Sequence, residues 1–213
     1  MKSKKSIFAL NYLPSIQYFA HWVNAGESIV EIHDNYLKRT YRNRCDILAA
    51  NGAISLTVPV IKGKMLKTPT KNVEISYDTK WQALHWRSIV SAYSSSPFFE
   101  YYLDDFKPFY EKKFRFLLDY NTELMRLVLD ALDYSVELNF TEEYMDANSD
   151  IADYRELIHP KKDFKTDDPA FNSISYRQVF SDKYGFTPNL SVIDLIFNKG
   201  PEALDILEDS ITG

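Results

Sequence analysis

The chain opens with mostly apolar positions over residues 6–12, turns at Pro14, and then repeats Ile16, Phe19, Ala20 and Val23 at helical spacing as far as Asn24-Ala25-Gly26. A short apolar run followed by a 3.6-residue period predicts a buried strand and then a helix. Pro14 suits the first helical turn, where its missing N–H removes no bond. Ser28 to His33 reads as a second strand. A strand-helix-strand opening predicts parallel pairing, with the loop after the first strand at the carboxyl edge of the sheet, where ligands of open α/β sheets bind.

Ile47 to Ala50 and the alternating Ile54, Leu56, Val58 and Val60 flank Asn51-Gly52, a pair that tolerates the positive φ of a tight turn, and so predict a hairpin. Residues 61–72 carry Lys62, Lys64, Lys67 and Lys71 without an acid and read as a mobile basic loop, followed by a short strand at Val73 to Ser76. From Asp78 the period becomes helical: Trp81, Leu84, Ser88 and Ala92 with His85 and Ile89 beside them, then Phe106 to Leu118, then Leu124 to Leu132. Ser94-Ser95-Ser96-Pro97 separates the first helix from the next, and Asn121-Thr122 offers caps between the later two. Val136 to Phe140 reads as a strand returning to the sheet. Thr141 to Pro169 is acidic and polar, with a short helix around Tyr154 to Ile158, and is expected to be the most flexible stretch. Pro188 to Phe197 and Pro201 to Leu207 predict two last helices, divided by the stop Asn198-Lys199-Gly200. Together these elements predict one α/β domain over residues 1–213. Its mainly parallel, Rossmann-like sheet with an inserted hairpin falls in residues 1–77, and residues 78–213 are mainly helical.

Composition narrows the function. With 45% hydrophobic and 26% charged residues the 213-residue chain is a globular protein, and 25 Lys+Arg against 30 Asp+Glu leave a net charge of −5 that disfavours nucleic acid as a partner. The lone Cys45 excludes an internal disulfide and a cysteine-built zinc site and fits a reducing cytoplasm. The N-terminal basic and apolar residues are interrupted by Asn11, Pro14, Ser15 and Gln17, unlike a secretory signal. No stretch approaches the roughly 20 apolar residues of a membrane span, so membrane contact would be peripheral. His21, His33, His85 and His159 are too scattered for a metal site. The 15% aromatic content reads either as large core side chains or as groove walls able to stack on carbohydrate.

Lys38-Arg39-Thr40-Tyr41-Arg42-Asn43-Arg44 places four positive charges in seven residues of an acidic chain. Guanidinium groups bind phosphate or carboxylate in bidentate fashion, which suits a diphosphate, a nucleotide-linked sugar or another anionic donor. The competing expectation is pairing with surface acids. His85, one helical turn after Trp81 and beside Ser88, is a candidate general base poised near neutral pH, or a satisfied structural histidine. Asn11, Tyr12 and Gln17, at the loop after the first strand, are candidates for ligand hydrogen bonds. No Gly-x-Gly-x-x-Gly or phosphate-loop lysine motif is present, which disfavours a dinucleotide-binding Rossmann site and leaves the cofactor unknown.

Several blocks taken in order resemble the WbqC-like protein family of bacterial surface-polysaccharide and O-antigen gene clusters. They are Tyr12-Leu13-Pro14 with Gln17-Tyr18-Phe19, Lys38-Arg39 with Tyr41-Arg42-Asn43-Arg44, and Leu56-Thr57-Val58-Pro59-Val60. Further on come Trp81, His85-Trp86, Ser88-Ile89 and Tyr93, then Pro97-Phe98-Phe99, and Pro188-Asn189-Leu190-Ser191 with Asp194-Leu195. One departure is Leu10-Asn11, where relatives tend to carry Gln-Pro. The resemblance implies a role in making a surface glycan, either as a transferase modifying a nucleotide- or carrier-linked sugar or as a non-catalytic module binding one. On the first reading Arg39, Arg42 and Arg44 hold the anion, His85 takes a proton, and Tyr12, Tyr41 and Asn43 orient the sugar.

Overall fold

The strand-helix-strand opening folds as its periodicity predicts, into β1 (Lys5–Ala9), α1 (Ile16–Asn24) and β2 (Glu27–Glu31). The computed structural model describes residues 5–61, 68–146, 148 and 150–212; Lys62, Lys64 and Lys67 of the expected basic loop lie outside them. There follow the hairpin strands β3 (Arg44–Ala49) and β4 (Gly52–Thr57), then the helices α2 (Trp81–Tyr93), α3 (Phe99–Phe106) and α4 (Leu117–Ala131). The chain then returns through β5 (Asn139–Phe140) and β6 (Ile151–Asp153), and ends in α5 (Phe164–Asp167), α6 (Ser181–Tyr184), α7 (Val192–Lys199) and α8 (Ala203–Asp209).

β1 pairs in parallel with β2 on one side and β6 on the other, and β2 pairs in parallel with β5. The order β5-β2-β1-β6 is 3-2-1-4 in the sheet's own chain order, which puts the reversal of strand order between β1 and β6. An open parallel sheet leaves a crevice outside its carboxyl ends near such a reversal. The fold is α/β, with a mainly parallel sheet, a separate antiparallel hairpin and helices through the C-terminal half.

Local details depart from the sequence pattern where short elements carry no period. Ala49 pairs with Gly52, so Ala50 and Asn51 form the hairpin turn, and the positive φ falls on Gly52 rather than on Asn51. β6 lies inside the stretch expected to be most flexible; Tyr154 extends its ladder by donating to the Ile7 carbonyl at 2.9 Å, and residues 154–158 form a turn rather than a helix. Val73 to Ser76 makes only isolated bridges, Val60 to Ile75 and Glu74 to Phe116. After Phe106 the helix gives way to a 3-10 turn containing Pro108, whose missing N–H weakens a continuous ladder. Asn121 sits inside α4, buried, and its amide donates to the Arg42 carbonyl at 2.8 Å instead of capping a helix.

α7 is buried on all sides from Val192 to Asn198, so it acts as the axis of the helical part. The Phe197 ring meets those of Tyr93, Phe99 and Phe106 at 5.2, 5.2 and 5.3 Å in edge-on geometry, the favoured arrangement for aromatic pairs. Much of the aromatic surplus therefore fills the core. Two distant blocks meet beside α7: Ile16 donates to the Leu190 carbonyl at 2.9 Å, Val192 to that of Pro14 at 2.8 Å, and the Ser191 hydroxyl to that of Leu13 at 2.8 Å. Leu13 and Asn189 both take positive φ to make this meeting possible.

Gly200 ends α7 at φ 54°, and a Cβ there would stand 2.5 Å from Cδ1 of Phe98. Gly200→Ala is expected to destabilise the protein by about 3 kcal/mol, combining left-handed strain with overpacking. Gly52→Ala, at φ 107° but in open space, should cost only the strain, about 1 kcal/mol. Denaturant unfolding of the two variants measures the difference.

Candidate functional site

A crevice of about 790 Å³ opens at the carboxyl edge of the sheet, lined by residues 33–37 after β2, by Arg42, by Tyr144, and by Asp153, Arg155 and Glu156 at the end of β6. Arg155 of this lining belongs to a set of paired charges that includes Glu31, behind the crevice, and Asp153. Glu31, fully buried, accepts from the backbone N–H of His33 at 2.7 Å and of Met145 at 2.9 Å, from the Thr141 hydroxyl at 2.9 Å, and from Arg155 Nη1 at 3.4 Å. Arg155 also grips Asp153 through Nε at 2.9 Å and Nη2 at 2.6 Å and donates to the Met145 carbonyl at 2.8 Å. This guanidinium is a clamp between β2 and β6, with little left to offer a ligand.

Arg42 is different. Thr40 caps a short 3-10 turn, Tyr41–Asn43, accepting from the Arg42 N–H at 3.4 Å, and that turn swings the Arg42 side chain inward while Lys38 and Arg39 remain exposed. Arg42 is only 2% exposed. Its Nη2 pairs with Asp34 at 2.5 Å, and Asp34 also receives the Thr70 hydroxyl. Its Nε is buried with no hydrogen-bond partner among the described residues, as is Nε of Arg44. Burial pushes the nearby Tyr36 phenol up to about 12, with both guanidiniums pulling the other way. Arg42 and Tyr36 line the crevice together, while Arg44, which closes the same 3-10 turn, lies outside its lining.

The remaining sequence candidates fall elsewhere. His85, Trp81 and Ser88 do come together, on a mainly apolar depression of about 650 Å³ between the hairpin and α2. His85 is buried, and its Nδ1 lies 3.1 Å from the Tyr12 hydroxyl, which in turn bonds Tyr110 at 3.0 Å. Burial lowers the imidazole to about 4, a hydrogen bond with the Thr57 backbone offsetting part of this, so the ring is neutral rather than poised near pH 7. The Ser88 hydroxyl bonds back to the Leu84 carbonyl at 3.0 Å. Asn43 holds the hairpin, its amide donating to the Val58 carbonyl at 2.8 Å. Asn11 and Tyr12 are buried, and Tyr41 packs against the core. Gln17 joins a third cluster: its amide and His21 Nε2 both reach Asp168 Oδ2 at 2.7 Å. Glu31, His33 and Asp34 were not singled out by pattern; their position just past an apolar run, at the carboxyl end of a predicted parallel strand, was the available signal.

Among the described residues, no group of three or more His, Cys, Asp or Glu is placed to hold a metal, and no helix is long and apolar enough to cross a membrane. Fold and crevice define an α/β protein with a cavity at the carboxyl edge of its parallel sheet, lined by Arg42 and Arg155 together with Asp34, Asp153 and Glu156. The chain belongs to the WbqC-like protein family, whose profile matches residues 10–159 and 155–206. It is also similar to the Uncharacterized protein Rv1507c of Mycobacterium tuberculosis (strain ATCC 25618 / H37Rv), at 29% identity over 227 aligned residues, covering 96% of this chain and 97% of that one. No solved structure matches it significantly.

Two outcomes follow. Glu31→Gln removes the charge facing Arg155 and turns a donor toward one of the two backbone N–H groups, of His33 and Met145, that its carboxylate oxygens accept; a loss of about 2 to 3 kcal/mol in denaturant unfolding is expected. His85 has a folded-state pKa of about 4, below its unfolded value near 6.5, so its contribution is full above pH 6.5 and is lost as pH falls toward 4. Between those limits the wild type should lose about 3 kcal/mol more than His85→Gln, measured as unfolding free energy against pH.

Proposed function

We propose that this protein is a transferase that modifies a nucleotide- or carrier-linked sugar in bacterial surface-polysaccharide biosynthesis, and that the sugar's phosphate is held in the crevice at the carboxyl edge of the sheet. The observation that carries the reading is Arg42: a guanidinium almost wholly buried at the crevice, paired with Asp34 through Nη2, with Nε bonded to no acceptor among the described residues. Burying such a donor unpaired is costly, and a phosphate oxygen would satisfy it with a charge-assisted bond. Arg44 and the exposed Lys38 and Arg39 add positive potential around the same turn of a chain whose net charge is −5. Family membership supports the pathway.

A second reading, a non-catalytic module that binds the same sugar phosphate, is favoured by one observation: His85, the candidate base, belongs to the other depression and is neutral and hydrogen-bonded. On either reading the anion sits at Arg42.

A thermal-shift series with nucleotide sugars, free nucleotides and coenzyme A thioesters tests this. A ligand at roughly 100 times its Kd adds about 2.7 kcal/mol of stability. Arg42→Ala should weaken binding of a nucleotide sugar by about 1.5 to 3 kcal/mol, while His85→Gln should leave it intact. If His85→Gln abolishes the shift and Arg42→Ala does not, the site is the other depression.

A further inference from the structure

We propose that His33 reads the sugar: its Nδ1 accepts a hydrogen bond from a hydroxyl or amino group of the phosphate ester anchored at Arg42, so the crevice selects phosphorylated sugars over bare phosphate. The inference rests on the reading of the crevice as a phosphate-anchored sugar site and adds the residue that distinguishes its ligands.

The tautomer follows from one contact. His33 Nε2 lies 3.1 Å from the Thr141 carbonyl oxygen, and a carbonyl can only accept, so Nε2 carries the hydrogen. In the neutral ring Nδ1 is then the lone-pair atom, and it has no partner among the described residues. The ring is also held in place. The His33 backbone N–H is fixed on Glu31, and the Thr141 hydroxyl is bound to the same carboxylate, so both residues that set the ring's orientation are tied to one buried group. Such fixing from outside the first contact is what lets a single acceptor discriminate between ligands.

The carboxylates at and behind the crevice are engaged within the fold apart from Glu156, which lines it with Asn35, Tyr36 and Tyr144. Asp153 is taken by Arg155, Asp34 by Arg42 and Thr70, and Glu31 by its four donors. Arg42 and His33 line this same cavity, the first with a buried Nε and the second with an Nδ1 that no described residue bonds. Bare phosphate suits the first. A phosphate ester that also carries a donor, as a sugar or amino sugar does, suits both. The other imidazoles do not line this cavity: His85 lies on the second depression, His21 is buried against Asp168, and His159 Nδ1 accepts from the Lys161 N–H at 3.1 Å.

The test is calorimetric titration of the full chain with glucose 1-phosphate, glucosamine 1-phosphate and inorganic phosphate, together with imidazole ¹⁵N NMR of the wild type. In the free protein His33 should show the Nε2–H tautomer, and its Nδ1 resonance should move on adding a sugar phosphate but not inorganic phosphate. His33→Gln can keep the bond to Thr141 but has no acceptor at the Nδ1 position; it should bind the sugar phosphates about tenfold more weakly and inorganic phosphate as the wild type does. His33→Asn, whose Oδ1 stands where Nδ1 stood, should retain most of the affinity. An Nδ1–H tautomer in the free protein overturns the proposal. So does a His33→Gln protein that binds the sugar phosphates like the wild type while Arg42→Ala does not, a result that leaves the crevice reading standing. A wild type that binds none of the three probes overturns both.

Discussion

A carboxylate wholly removed from water must find its donors inside the protein, and Glu31 finds them on three separate stretches of chain. Two come from the segment that follows β5, one from the arginine that follows β6, and one from the backbone just beyond β2 itself. The terminal hydrogen bonds of a parallel sheet would otherwise fray into loops of differing length. Here one side chain gathers those loops at their roots, and the crevice has the shape left between them. Because Arg155 answers Glu31 and Asp153 together, the arrangement is an ion cluster whose members are each partnered. That is the condition under which buried charge can persist.

Fixing the edge this way separates structural charge from available charge. Arg155 and Arg42 both line the crevice and both face a carboxylate, yet the first makes bonds with all three of its nitrogens and the second leaves Nε unanswered. The distinction is invisible to a count of basic residues. It also explains why Tyr12 matters without touching the crevice: its backbone N–H is held by the Tyr41 carbonyl at 3.0 Å while its hydroxyl binds His85 and Tyr110. Through Tyr12 the turn that presents Arg42 is braced against the helical part.

The parallel opening, the hairpin and the two final helices were legible in the sequence because each runs long enough to express its period. β6 was not, since three residues inside an acidic stretch carry neither alternation nor an apolar run. Arg42 stood out as part of a cationic cluster, but nothing local says that a 3-10 turn buries it while Lys38 and Arg39 stay outside. His85 shows the converse. Helical spacing correctly joined it to Trp81 and Ser88, and could not reveal that a tyrosine from residue 12 would occupy one of its nitrogens. Glu31 and His33 escaped for the same reason, their partners at Thr141, Met145 and Arg155 lying more than a hundred positions downstream.

That separation also bears on how the chain acquires its shape during synthesis. β1 gains its second neighbour only when Ile151–Asp153 has left the ribosome, and the loop beyond β1 is pinned only once Leu190 and Ser191 have followed. Until then the N-terminal strands have an open edge, and Glu31 lacks the partners that make its burial tolerable. Long-range contacts of this kind slow folding and leave unpaired edges exposed to other chains. The hairpin and α2 to α4 can form locally in the interval, so the crevice at the sheet edge is among the last features of the molecule to exist.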